Sequence, residues 1–179
     1  MGRQRFGIAV LVGFVAAGAA LGAQQVTKET VPGIVNFSRV ETTVACAGAT
    51  TPAALADVKR MGYASVVNLR LASEAGAEIE AEAAAAKTAG LNYIHIPFNA
   101  AAPDATLVDD FLKAVTNPRN QPAFIHCASA NRAAALWMIK RVEVDKWDVD
   151  RASAEAAALG LTNPALKTFV MNQIASRKK

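Results

Sequence analysis

Cys127 and Arg132 are separated by four residues, Ala128-Ser129-Ala130-Asn131, and His126 stands immediately before the cysteine. An apolar run, Pro122 to Ile125, leads into this stretch, and an amphipathic run starting at Arg132 follows it. The segment is therefore expected where a strand turns into a helix. Loop amides and a helix N-terminus pointing at one spot favour negative charge there. The same field lowers the pKa of a cysteine at the loop's mouth and makes thiolate available. Arg132 can then grip two oxygens of a bound oxyanion with its planar fork. The combination predicts an anion cradle with a nucleophile in it.

Such a loop needs a rigid scaffold. Phe37 to Cys46 carries β-branched residues in partial alternation, the pattern of a first strand or hairpin. Thr51-Pro52 caps a helix running to about Met61, with Gly62 after its end. Ala64 to Leu69 reads as a buried parallel strand. Ser73 opens an acidic helix through Lys87, and Leu91 to Phe98 alternates as the next strand. Asp104 or Thr106 caps a helix through Val115. After the strand Pro122–His126 come three helices: to about Val144, from Asp148 or Asp150 to Ala158, and from Asn163-Pro164 to about Ser176. Helices alternating with short apolar strands predict one α/β domain, a mainly parallel sheet of four to five strands flanked by helices. Right-handed crossovers would bring the strand ends and the Cys127 loop to one edge of that sheet.

The first 23 residues have the pattern of an export signal. Arg3 and Arg5 form a basic start, Phe6 to Ala20 is uncharged, and cleavage after Gly22 or Ala23 is expected. The alternative is an uncleaved N-terminal membrane anchor, but the apolar stretch is short for a span of about 20 residues. Residues 24–36 read as a linker or extended lead-in, 37–176 as the folded domain and 177–179 as a basic tail. Of the formal charge of +4, two units belong to Arg3 and Arg5, leaving +2. That balance, with no basic face interleaved with aromatics, argues against nucleic acid as a partner. With the signal removed, no membrane association is expected. The two histidines, His95 and His126, stand in no cluster of metal-ligand spacing, so neither a metal nor another cofactor is implied. Cys46 and Cys127 are the two cysteines. An exported pair invites a reversible disulfide between them; the alternative is a buried, unpaired Cys46.

HCASANR, preceded by the strand PAFIHC, resembles the signature loop of the cysteine-dependent protein tyrosine and dual-specificity phosphatases. YASVVNLR, GLNYIHIPF, RAAALWMIKRV and KWDVDRASAEAAALGL occupy the corresponding order, so the resemblance runs from about Phe37 to Ile174. Within that superfamily the chain is most similar to small bacterial phosphatase-like domains, the group found beside β-lactamase-like hydrolases. The resemblance implies a dual-specificity-phosphatase-like fold, a phosphoenzyme intermediate on Cys127 and Arg132 as phosphate clamp. The backbone N–H groups of Ala128, Ser129, Ala130, Asn131 and Arg132 would form the phosphate cradle. His126 would orient the loop.

Three positions depart from the family pattern. The loop has four residues between Cys127 and Arg132 where five are usual, Ala133 replaces the usual Ser or Thr, and Ala130 replaces a glycine. A positive backbone angle at Ala130 would be strained. The family's general acid should fall near Asn99 or Ala100, which cannot serve. Asp104 is the carboxylate in that loop and the candidate acid, with helix capping as its other reading. The expected function is hydrolysis of a phosphoester, phosphotyrosine-like or small, with weak turnover. The partner would be a phosphorylated small molecule or a phosphoprotein. Two alternatives stand beside it: a rhodanese-like sulfurtransferase with a Cys127 persulfide, favoured by the short loop, and a weakly catalytic phospho-ligand-binding module. Arg70 reads as half of a surface ion pair, the acidic helix Glu74–Glu82 as a solvated face, and Trp137 and Trp147 as helix packing.

Overall fold

The computed structural model describes residues 26–177; the expected signal segment lies outside them. The strands are β1 (Thr27–Lys28), β2 (Ser38–Glu41), β3 (Val44–Ala47), β4 (Ser65–Asn68), β5 (Asn92–His95) and β6 (Ala123–His126). The helices are α1 (Leu55–Arg60), α2 (Ile79–Ala89), α3 (Thr106–Thr116), α4 (Asn131–Glu143), α5 (Val149–Leu159) and α6 (Pro164–Arg177). The sheet runs β1-β2-β3-β6-β4-β5. β3, β6, β4 and β5 are parallel, while β1 and β2 add antiparallel strands at one edge. Six strands thus replace the four to five expected. The extra strand is β1, two residues of the lead-in; the Phe37–Cys46 segment folds as the hairpin, which accounts for the fifth.

Side-chain alternation sorts the core into two layers. Val44, Cys46, Val67, Ile125 and Cys127 face α3 to α6, whereas Ala45, Ala47, Val66 and Phe124 face α1 and α2. β6 lies between β3 and β4, and its Phe124 and Ile125 are fully buried. Each contributes about 1.5–3 kcal/mol by burial, which anchors the strand that leads into Cys127. Ala47, His126, Asn68 and His95 end β3, β6, β4 and β5 in register. The four loops that follow therefore leave the sheet at one edge, the crevice where α/β sheets bind ligands.

Several helix starts differ from their sequence signals. Residues 72–76 form turns, and α2 begins at Ile79 instead of Ser73. Pro52 opens a short 3₁₀ turn ahead of α1 without a side-chain bond from Thr51. Thr106 is the first residue of α3 and makes no cap bond. Asp148 does cap α5, its carboxylate accepting from the Arg151 N–H at 2.8 Å.

Candidate active site

The Cys127 loop is stitched to the neighbouring strand rather than hung from it. Cys127 donates its N–H to Ala47 O at 3.2 Å, extending the β3–β6 ladder by one bond. Ala128 O accepts from the Ala49 N–H at 2.9 Å, and Ser129 O from Asn36 Nδ2 at 3.4 Å. A trans peptide points its N–H opposite its C=O. With both carbonyls turned outward, the N–H groups of Ser129 and Ala130 are turned inward, as a cradle requires. The approach is close: a Cβ at Gly48 would lie 3.0 Å from Ala128 O, so only glycine fits there without a shift. Ala130 sits at φ +74°, the left-handed conformation, before α4 begins at Asn131.

Arg132, on the first turn of α4, is buried and heavily held. Nη1 donates to Leu69 O (3.1 Å), Phe98 O (2.8 Å) and Glu74 Oε1 (2.5 Å), while Nη2 donates to Glu74 Oε2 (2.8 Å). Glu74 therefore spans the Nη1–Nη2 edge and leaves the Nε–Nη2 edge available for a second two-pronged acceptor. The Cys127 sulfur is close enough to hydrogen-bond the same guanidinium. Burial pulls the Arg132 pKa down, but the bond to Glu74 and the charges of Cys127 and Glu74 outweigh it and raise it. For Glu74 burial pushes upward, yet the Arg132 bond, the Leu71 N–H and the Arg132 charge hold it down at about 2.

Glu74 reaches this place because the chain after β4 is wound around Arg70. The Arg70 guanidinium donates to Gly76 O and Ala75 O, both at 2.6 Å, and to Glu74 Oε2 at 3.3 Å. Arg70 is thus a buried clamp for the Glu74 turn, not half of a surface ion pair. The acidic stretch is a solvated face only in part, with Glu78 and Glu80 exposed. Glu82 is buried on α2, 2.9 Å from His126 Nε2, though not aligned as a hydrogen bond with it. Its other oxygen accepts from Asn68 Nδ2 (2.5 Å) and Tyr93 OH (3.2 Å). Alternation explains the meeting: His126 and Asn68 are register neighbours on the sheet face that α2 covers.

A cleft of about 320 Å³ opens over the arginine, lined by Glu74, Asn99, Ser129, Asn131, Arg132 and Asn163 among others. Cys127 is 1% exposed and does not itself line the cleft; it meets it through Arg132. Asn131 Oδ1 accepts the Thr162 and Asn163 N–H groups, tying the α5–α6 connection to the cradle. Asp104 is not brought into this group. It does not line the cleft, and its carboxylate accepts the Thr106 N–H at 2.8 Å, which holds its pKa down. Cys46 is a free, buried thiol opposite Ile125, its pKa raised chiefly by burial. Cys127 is likewise free. Glu74 and Glu82 escaped the sequence reading because they meet Arg132 and His126 only through the tertiary fold.

Comparison with known proteins agrees with this geometry. A family model described as beta-lactamase hydrolase-like protein, phosphatase-like domain matches residues 36–144. No match was found among curated proteins. Among solved structures, a DUF442 protein from Shewanella putrefaciens CN-32 is similar at TM-score 0.69 and 19% identity, over 80% of this chain and 92% of the other. TpbA from P. aeruginosa gives 0.67 and 18%, over 84% and 91%. The core catalytic domain of the phosphatase SIW14 from S. cerevisiae gives 0.65 and 18%, over 83% and 96%. These likenesses establish the fold.

Proposed function

We propose that this chain, which belongs to the beta-lactamase hydrolase-like protein, phosphatase-like domain family, transfers a phosphoryl group to Cys127 and then to water. The observation that carries the reading is the Arg132 guanidinium, whose Nε–Nη2 edge Glu74 does not take, in reach of the Cys127 sulfur and beside a loop that turns its Ala128 and Ser129 carbonyls away. The ring of loop amides and that edge hold the nonbridging oxygens while Sγ attacks phosphorus and the bridging P–O bond breaks. Water then cleaves the S–P bond and restores the thiolate. Glu74 positions the arginine, and His126 with Glu82 supports the loop from beneath. A TpbA structure in complex with pTyr and the description of SIW14 as a PP-IP phosphatase support a phosphorylated ligand. The basic, apolar start of the sequence supports export to the periplasm.

The test is p-nitrophenyl phosphate hydrolysis beside thiosulfate-to-cyanide sulfur transfer, wild type against Cys127→Ser. Phosphate release that disappears in the variant is the expected result. Sulfur transfer without phosphate release would instead establish the persulfide reading, which the four-residue loop favours. Oxyanion binding with neither activity would leave a binding module.

A further inference from the structure

We infer that the preferred substrates are phosphoanhydrides, in which the transferred phosphoryl group is joined through oxygen to a second phosphate, rather than phosphate esters of alcohols or phenols. The inference rests on the phosphocysteine reading above. What decides it is the set of groups that face a departing oxygen. Asn99, Asn131, Asn163 and Ser129 line the cleft with amides and a hydroxyl, which stabilise an oxyanion by hydrogen bonds but give it no proton. Glu74 is the acidic residue lining the cleft, and Arg132 holds it as carboxylate down to about pH 2. Asp104 is turned onto the Thr106 N–H outside the cleft.

A leaving group must then depart as a stable anion. A phosphate, with a second pKa of about 6, does so at neutral pH. A tyrosine phenol, with a pKa of about 10, needs a proton in the transition state. The bond changes balance without an acid: S–P forms, the bridging P–O bond breaks, and its electron pair leaves on the oxygen of the second phosphate. Water next attacks phosphorus, the S–P bond returns its pair to sulfur, and the water proton stays with orthophosphate and solvent.

There is room for the leaving half. A second cavity, of about 540 Å³, shares Ser129 and Asn131 with the cleft and is lined further by Lys28, Glu29, Asn36, Phe37 and Thr162 among others, with both Glu29 oxygens taken by the Arg39 guanidinium (2.9 and 3.4 Å). Lys28, Asn36 and Thr162 offer charged and neutral donors to a phosphate-bearing leaving half, and Glu29, bound to Arg39, is not placed as a free acid there.

Phosphate release is to be measured on inorganic pyrophosphate, ADP, p-nitrophenyl phosphate and phenyl phosphate, with wild type, Cys127→Ser and Asn99→Asp. Wild type is expected to cleave at least one anhydride with kcat/KM about 100-fold or more above phenyl phosphate, within the range a missing general acid costs. Asn99→Asp places a carboxyl group in the cleft and is expected to raise phenyl phosphate turnover about tenfold or more, with a new fall at high pH. If neither anhydride outruns phenyl phosphate while release still depends on Cys127, the anhydride inference is wrong and the phosphocysteine reading stands. If no substrate gives Cys127-dependent phosphate, both are wrong.

Discussion

Helix α4 carries two buried arginines paired to glutamates, and only one of them, Arg132, lines the site's cleft and is proposed to bind a ligand. Arg141 donates Nε and Nη2 to Glu155 (2.7 and 3.1 Å), Nη1 to Asp145 (2.8 Å) and Nη2 again to Glu41 (3.4 Å). Its plane is stacked between Trp137 and Trp147, with centroid distances of 4.7 and 4.2 Å. Three carboxylates and two indoles surround the guanidinium, and Nε, Nη1 and Nη2 all donate to carboxylates. Arg132 meets a single carboxylate, Glu74, and keeps its side edge beside Cys127 and an open cleft. Burial and an ion partner therefore do not distinguish a binding arginine from a structural one. An unclaimed edge does.

The contrast breaks most visibly at the structural arginine. Arg141→Ala leaves three carboxylates around a buried gap and is expected to cost about 3–5 kcal/mol. The urea midpoint should fall accordingly, while phosphate release per folded molecule holds. Arg132→Lys should show the reverse. A lysine is a point charge without a two-pronged edge, so kcat/KM is expected to fall about 10²- to 10³-fold, with a smaller midpoint change than Arg141→Ala. Equal losses of stability in the two variants would erase the distinction.

Glu74→Gln sharpens the comparison by removing the charge that aims Arg132 and keeping the shape. About a tenfold drop in kcat/KM is expected, since the amide still accepts one bond from the fork. Because the folded-state pKa of Glu74 is depressed to about 2, its contribution to stability is present above the unfolded value of about 4.5 and is lost as pH falls through 2. Urea midpoints of wild type and Glu74→Gln should therefore differ at neutral pH and converge across that acid window. The smallest effect is expected from Ala130→Gly. Relief of the left-handed conformation gains about 1–2 kcal/mol, and loss of a buried methyl costs about 0.8 kcal/mol. The net is a slight rise in Tm, measurable by calorimetry.

What was legible in the sequence was local. The strand, the turn and the helix are contiguous, so the apolar runs sufficed to put Cys127 and Arg132 at a strand–helix junction. The strain at Ala130 could also be anticipated, since the loop's turn demands a positive angle wherever a glycine is replaced. The partners of the site were not legible. Glu74 meets Arg132 across 58 positions of sequence, and in the sequence it looks like the first turn of an acidic helix. Nothing in its neighbourhood announced that Arg70 would fold the backbone of Ala75 and Gly76 around itself. Glu82 fails for a different reason: its helix is real, but the face it occupies is set by which side of β6 His126 points to. Asp104 shows the opposite error, a carboxylate in the expected loop whose local bond to Thr106 N–H had first claim.

The bonds from Ala49 and Asn36 to the carbonyls of Ala128 and Ser129 make the proposed anion site a continuation of the sheet's own edge. Folding and ligand affinity are then linked quantities. An oxyanion that fills the ring stabilises the native state by RT ln(1 + [L]/Kd), and that stabilisation acts on β3 and its connections as much as on the loop. Conversely, fraying of the hairpin at the sheet's rim loosens the grip on phosphate before any residue of the ring is altered. If the proposed ring binds phosphate, it does so already shaped, and binding would order little that folding has not ordered first.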